Sequence, residues 1–236
     1  MSDAPTTAAD LSEGVFVVVP AYNEATPIGD VLRQLRQAGY ANVVVVDDGS
    51  TDGTYDAARG KVRYLLRHAV NRGQGAALQT GIEFALSRGA RFVVTFDADG
   101  QHDCESIAAL VEPLRRGECE ITLGSRFLGQ AIDLPMSRRI MLRLAVAFTR
   151  LINGVSLTDA HNGLRGFSRR AAEQIDIRLD RMAHASELID FIVRSGLPYR
   201  EVPVKVHYTQ YSLNKGQSSR GALRILFHYL VGRVVR

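Results

Sequence analysis

Cysteine is nearly missing from this chain of 236 residues: only Cys104 and Cys119 occur, in no CxxC pair and at no zinc-binding spacing. That excludes a disulfide framework and a structural zinc site, and two reduced thiols of a cytosolic protein are expected. Long apolar runs are missing too. None approaches the roughly 18–20 residues that a spanning helix requires, so any membrane contact is expected to be peripheral. Residues 1–13 are small and polar, without the apolar centre of a signal peptide, and read as a loose tail. No basic and aromatic motif of a nucleic-acid module is present, so nucleic acid is not an expected partner. The formal net charge of +4 is modest and points to an anionic partner such as a nucleotide or a phospholipid. No repeat or low-complexity linker interrupts the rest, and residues 14–236 are expected to fold as one α/β domain.

What is present alternates two periods. Residues 15–19, 43–47, 62–66 and 92–96 are short β-branched or aromatic runs bounded by turn residues, which predicts buried parallel strands. Between the first two, Ile28, Val31, Leu32 and Leu35 recur at helical spacing, with Thr26 as the expected cap, Pro27 opening the helix and Gly39 ending it. Further helices are expected over 76–87 and 105–115, the latter with Asp103 in front as its cap. Strand, helix, strand in series predicts a doubly wound, mostly parallel sheet flanked by helices. The second half is less regular. It predicts a strand over 120–123, a loop through Pro135, and helices over 137–152, 170–175, 186–194 and 219–236. Strands are expected over 164–168 and 199–208.

In an open α/β sheet, ligands collect beyond the carboxyl ends of the strands. The informative polar residues fall there repeatedly. Strand one runs into Tyr22, Asn23 and Glu24; strand two ends in Asp47 and Asp48; the fourth ends in Asp97, Asp99, Gln101 and His102. Any one of these strings is a common turn. Together they bring carboxylates to one edge, where like charges repel unless a cation or donors offset them. A hard divalent ion bridging a diphosphate, Mg2+ or Mn2+, is the expected answer.

The strings PAYNE at 20–24, DDGSTDGT at 47–54, NRGQGAAL at 71–78, DADGQH at 97–102 and GSRF at 124–127 make the chain resemble family 2 glycosyltransferases of the GT-A fold. The pairing of DADGQH with GSRF is similar to the dolichyl-phosphate mannose synthase branch and its polyprenyl-phosphate glycosyltransferase relatives. The resemblance implies a nucleotide-sugar-binding half over 14–123, an acceptor half over 124–218 and a C-terminal amphipathic helix over 219–236. It implies that Pro20, Tyr22, Glu24, Val46 and Asp48 line the nucleotide pocket, with Tyr22 against the base. Asp97 and Ala98 would contact the nucleotide side, Asp99 and Gln101 would hold the metal, and Arg126 would approach the diphosphate or the incoming phosphate. Gln74 stands where many relatives carry lysine, so NRGQG reads as a turn whose Gly75, Ala76 and Ala77 allow close helix–sheet packing. The segment Thr158 to Arg165 resembles the family's Asp…Gly-Phe-Arg stretch, with Leu164 in place of the aromatic residue. Lys215 takes the place of the family's diphosphate lysine.

The chemistry so implied is transfer of a sugar from a nucleotide-sugar to a polyprenyl phosphate, with inversion. A phosphate monoester is largely a dianion at neutral pH and attacks unaided. A saccharide hydroxyl, the alternative acceptor, would need a general base, for which Asp159 and Glu187 are the candidates. Nucleotidyl transfer is disfavoured because PAYNE stands where that chemistry uses a glycine-rich loop, and the Asp97, Asp99, Gln101 set argues against a non-catalytic binding module. Two basic amphipathic segments, 134–152 and 219–236, are the expected contacts with the cytoplasmic face of a membrane. A small integral membrane protein would explain the same surface, and a homo-oligomer is compatible with it.

Overall fold

A computed structural model describes residues 12–159, 162–177, 184–208 and 211. In chain order the elements are β1 (Val15–Ala21), α1 (Ile28–Gln37), β2 (Val43–Asp47), α2 (Thr54–Ala58), β3 (Tyr64–Arg67), α3 (Gln74–Ser87), β4 (Phe92–Thr95) and α4 (Ser106–Arg115). They continue with β5 (Ile121–Ile132), α5 (Met136–Asn153), β6 (Arg165–Ser168), α6 (Arg169–Ala172), α7 (His184–Ser195) and β7 (Tyr199–His207).

β1, β2 and β4 are buried along their whole length. Valine-rich strands behave this way when helices cover both faces of a sheet. Val15, Val17 and Val19 share one core cluster with Ile28, Val31, Leu32 and Leu35 of α1 and with Ile107, Leu110 and Val111 of α4. Phe16 and Val18 point the other way, into a second cluster with Ala77, Leu78 and Ile82 of α3 and Leu188, Ile189 and Ile192 of α7. Each such side chain contributes about 1.5–3 kcal/mol by leaving water.

The sheet order is β3-β2-β1-β4-β6-β5-β7. β1 pairs in parallel with β2 on one side and β4 on the other, so the chain leaves β1 in opposite directions and a crevice opens at that edge. Among the described strands β6 alone runs against its neighbours, β4 and β5. Its first residue, and the connection that precedes it, therefore arrive at the edge where β1, β2 and β4 end. The expected mostly parallel sheet is present, with this one reversal.

Several sequence expectations differ from the structure: β3 is half-buried rather than buried, and the cap of α4 falls on Glu105 rather than Asp103, with no side-chain bond. The cap of α1 falls on Pro27 rather than Thr26 and has no side-chain bond; the Glu24 carbonyl accepts the Ile28 N–H at 3.0 Å instead. A short helix, α2, follows DDGSTDGT where none was expected. The strand expected over 120–123 extends to Ile132. The pairing of this extension with β7 slips: Ser125 faces Pro203 and Gln130 faces Lys205, leaving residues 126–129 opposite Val204 alone. Such a bulge re-aims a side chain out of the ladder, here Arg126. Gly129 permits it, since a Cβ there would stand 2.2 Å from the Val204 carbonyl oxygen. The strand is unreadable from its sequence because GSRFLGQAI lacks the alternation of a paired strand. The expected helix over 219–236 lies outside the described residues.

Candidate active site

Side chains of the DDGSTDGT loop stitch it to PAYNE. Ser50 Oγ accepts the Asn23 N–H at 3.0 Å, Asn23 Oδ1 accepts the Thr51 N–H at 3.0 Å, and Thr54 Oγ1 accepts the Glu24 N–H at 2.7 Å. These bonds hold Asn23 in a left-handed conformation, φ 53°, which asparagine tolerates better than most residues. Glu24 is thereby turned inward and buried, and its Oε2 accepts the Tyr211 hydroxyl at 2.7 Å. Tyr22 stays exposed. Asp48 is buried and saturated with donors: the Arg72 N–H at 3.0 Å, the Gly73 N–H at 2.6 Å and His68 Nδ1 at 2.7 Å. His68 reaches on to Thr80 Oγ1 of α3 at 3.0 Å. Pro20, Val46 and Ala98 are buried, so whatever they offer a ligand comes from main chain.

The DADGQH loop supplies the acidic centre. Gln74 Nε2 donates to Asp97 Oδ1 at 3.0 Å, and His102 Nε2 lies 3.0 Å from Asp97 Oδ2. Since an ionised carboxylate only accepts, Nε2 carries the proton in this pair. The imidazole is buried edge-on to Phe96, with ring centres 5.6 Å apart, and its Nδ1 has no partner among the described residues. Gly163 closes Asp97 from the far side: Thr95 Oγ1 holds the Gly163 carbonyl at 2.7 Å, and a Cβ on Gly163 would stand 2.0 Å from Asp97 Oδ2. Asp99 accepts the Gln101 N–H at 3.0 Å. Burial first and the neighbouring Asp97 second push its pKa up to about 6. A carboxylate disfavoured in this way gains from a cation placed against it. Among the described residues no three His, Cys, Asp or Glu side chains form a ready-made metal cage. Mg2+ and Mn2+ take one or two protein oxygens and fill the remaining positions with water and substrate phosphate. The oxygen donors of Asp99 and Gln101 fit such an ion.

The third corner is basic. Arg126 Nε donates to Asp159 Oδ2 at 2.6 Å, the Arg126 N–H donates to the same oxygen at 3.1 Å, and Nη1 donates to the Tyr208 hydroxyl. Burial alone would push the guanidinium down, but Asp159 and Tyr208 outweigh it and hold the pKa above its usual value. Asp159 is fixed in turn: Glu201 accepts the Thr158 N–H at 2.8 Å and the Asp159 N–H at 3.1 Å, and Ser125 Oγ lies 2.6 Å from Thr158 Oγ1.

The structure thus brings Glu24, Asp48, Asp97, Asp99 and Gln101 to one edge of the sheet, with Arg126 on the β5 bulge. Lys215 lies outside the described residues. Sequence reasoning gave no role to His68 or Tyr208, named His102 only among the polar residues that end the fourth strand, and read Gln74 as part of a turn. Asp159, expected as a candidate base, is the partner of Arg126.

An acidic crevice at the switch point of a mostly parallel sheet, flanked by a buried arginine, marks an open-sheet α/β protein with its candidate site where such sheets collect ligands. The family is equally clear. The chain belongs to glycosyl transferase family 2, whose model matches residues 16–176. It is 39% identical to an uncharacterized protein of Methanocaldococcus jannaschii, over 93% of this chain and 92% of that one. It is 32% identical to the UDP-N-acetylglucosamine–dolichyl-phosphate N-acetylglucosaminyltransferase of Methanococcus voltae, over 92% and 95% of the two chains. The undecaprenyl-phosphate mannosyltransferase of Micrococcus luteus is 30% identical over 88% of each. Among solved structures, glucosyl-3-phosphoglycerate synthase from Mycobacterium tuberculosis, in complex with Mn2+ and UDP-glucose, shares the fold. Its TM-score is 0.67 at 22% identity, covering 97% of this chain and 84% of that one. The expectations of a GT-A-like fold and of a family 2 glycosyltransferase both hold.

Proposed function

We propose that this protein transfers a sugar from a nucleotide-sugar to a polyprenyl phosphate, inverting the anomeric centre. The observation that carries the reading is the Asp159–Arg126 pair. A hydroxyl acceptor needs a carboxylate free to take its proton. Asp159, one of the two candidate bases, is buried and committed to the Nε and N–H of Arg126. A phosphate dianion needs no base, only a fixed cation to receive it, and Arg126 is a guanidinium held charged at the edge of the site. The names of the Methanococcus voltae and Micrococcus luteus relatives support a lipid phosphate acceptor.

Tyr22 would stack on the base, and Asp48 with the main chain of Pro20, Val46 and Ala98 would line the nucleotide pocket. Glu24 and Asp97 would border the sugar and diphosphate. Mg2+ or Mn2+, held by Asp99 and Gln101, would supply neutralisation of the departing diphosphate. Arg126 would orient the incoming phosphate, with Lys215 adding a donor to the diphosphate. UDP-N-acetylhexosamine, UDP-glucose and GDP-mannose form the donor panel.

A lipid acceptor requires a route to the membrane. No helix among the described residues is long and apolar enough to cross one. α5 is two-faced. Val146 packs on the second core cluster, while Met136, Ile140 and Leu144 are exposed at one-turn spacing, with Leu151 two turns further on, beside Arg143 and Arg150. Such a helix would lie in the headgroup plane of the cytoplasmic membrane face. Incubating the protein with Mn2+ and labelled donors, offering polyprenyl phosphate and saccharide acceptors in parallel, tests the reading. Label in a polyprenyl monophosphate sugar is expected; label only in a saccharide would overturn it.

A further inference from the structure

Arg165, the first residue of β6, has no part in the function proposed above, yet its position ties the site's two charged corners together. Because β6 runs against its neighbours, Arg165 pairs with Thr95 of β4 on one side and Leu123 of β5 on the other. Asp97 follows Thr95 by two residues, and Arg126 follows Leu123 by three. The turn that delivers Arg165 is itself fixed: Asn162 Oδ1 accepts the Leu164 N–H at 3.0 Å, and the Gly163 carbonyl is held by Thr95. Gly163 in that same turn abuts the Asp97 carboxylate.

The Arg165 side chain is only 4% exposed. Burial holds its pKa below the ordinary arginine value; the charges of Asp97 and Asp159 work against that, and Arg126 adds to it. A guanidinium does not discharge when buried, so it persists in such a place only against carboxylates. Both carboxylates already hold other site residues. Asp97 is bonded to Gln74 and His102, and Asp159 to Arg126. Arg165 thus answers to the two carboxylates that hold the site's other polar side chains, one on the Asp97 side and one on the Arg126 side.

We propose that Arg165 is a positioning residue, a counter-charge shared by Asp97 and Asp159 that sets the donor-side carboxylate and, through Asp159, the acceptor-side Arg126 in one fixed relation. The assignment of sides rests on the function proposed above; the register and burial of Arg165 do not. A single ammonium lacks the planar fork that serves two carboxylates at once, so lysine is an incomplete substitute.

The test compares Arg165→Lys and Arg165→Met in the full-length protein with Mn2+. Donor turnover is followed as nucleotide release, with polyprenyl phosphate, with saccharide and with water as acceptors, and rates are normalised to folded protein from thermal melts. Arg165→Met is expected to lower kcat on the order of 100-fold with donor KM within about threefold of wild type, and Arg165→Lys to recover part of the loss, ending roughly tenfold down. Unchanged kcat per folded molecule in both variants reduces Arg165 to a folding residue and overturns the proposal. Should the methionine variant fail to fold, the lysine variant decides alone, since wild-type kcat in it has the same meaning. A wild-type enzyme that glycosylates only saccharide refutes the lipid-phosphate reading and leaves the Arg165 comparison intact, because turnover is read with every acceptor.

Discussion

Asp97 is bonded to Gln74 and to His102 and abuts the backbone of Gly163. A methyl group at position 163 has nowhere to go without moving that carboxylate. Gly163→Ala is therefore expected to lower the melting temperature, by a cost of about 1–3 kcal/mol typical of overpacking, and to cut kcat at least tenfold. Melting curves and steady-state kinetics on the same preparation check both; a destabilised variant with unchanged kcat would show that Asp97 tolerates displacement. Asp99 behaves differently. Its carboxylate is held in place against its own desolvation, so Asp99→Asn is expected to abolish turnover, by roughly 1,000-fold or more, while leaving the metal-free protein as stable as wild type at neutral pH or slightly more so. A fall in kcat that merely tracked unfolding would count against a role at the metal. Single side chains of this kind were legible only where a motif carried them. Asp97, Asp99 and Gln101 stand in a recognisable string, whereas the pairing of Arg126 with Asp159 spans 33 residues and has no local signature.

At the scale of elements, the first half of the chain was readable because its strands are valine runs with helices of clear period between them. Boundaries of β1, β2 and β4 fall within two residues of expectation for that reason. β5 and β6 were harder. A strand that bulges to present Arg126 must abandon regular alternation there, and the reversal of β6 is decided by tertiary pairing, not by the residues RGFS. α5 was anticipated as basic and amphipathic, but sequence alone did not say which apolar residues face outward. With Ile140 54% exposed and Leu144 65% exposed, each costs nothing to the core when changed. The double variant Ile140→Glu, Leu144→Glu is expected to keep its melting temperature and to lose binding to anionic vesicles at least tenfold in a co-sedimentation assay. Retained binding would move the membrane contact to another surface, or to the 219–236 segment.

Across the whole molecule, the site is assembled where the sheet can least afford it: four acidic residues, Glu24, Asp47, Asp48 and Asp159, are buried at one edge, and the half-buried Asp97 and Asp99 stand among them. Most are offset. Asp47 meets Arg67, Asp48 meets His68 and two amides, Asp97 meets Gln74 and His102, and Asp159 meets Arg126. Asp99, with one amide, is pushed toward its neutral form by burial and by Asp97. The sign of its effect on stability follows. An unfolded chain titrates Asp99 near 3.8 and the folded chain near 6. Its favourable contribution is complete below the unfolded value and is lost as pH rises through the folded one. Metal-free protein should therefore carry this penalty in full at pH 7.5 and only in part at pH 5. A divalent cation binds the ionised form, so the gain in melting temperature on adding Mn2+ with nucleoside diphosphate is expected to be large at pH 7.5 and much smaller at pH 5. In Asp99→Asn the gain should be small at both. An equal gain at the two pH values in the wild-type protein would mean that the cation is held by groups already ionised at pH 5, and would remove Asp99 from the metal site.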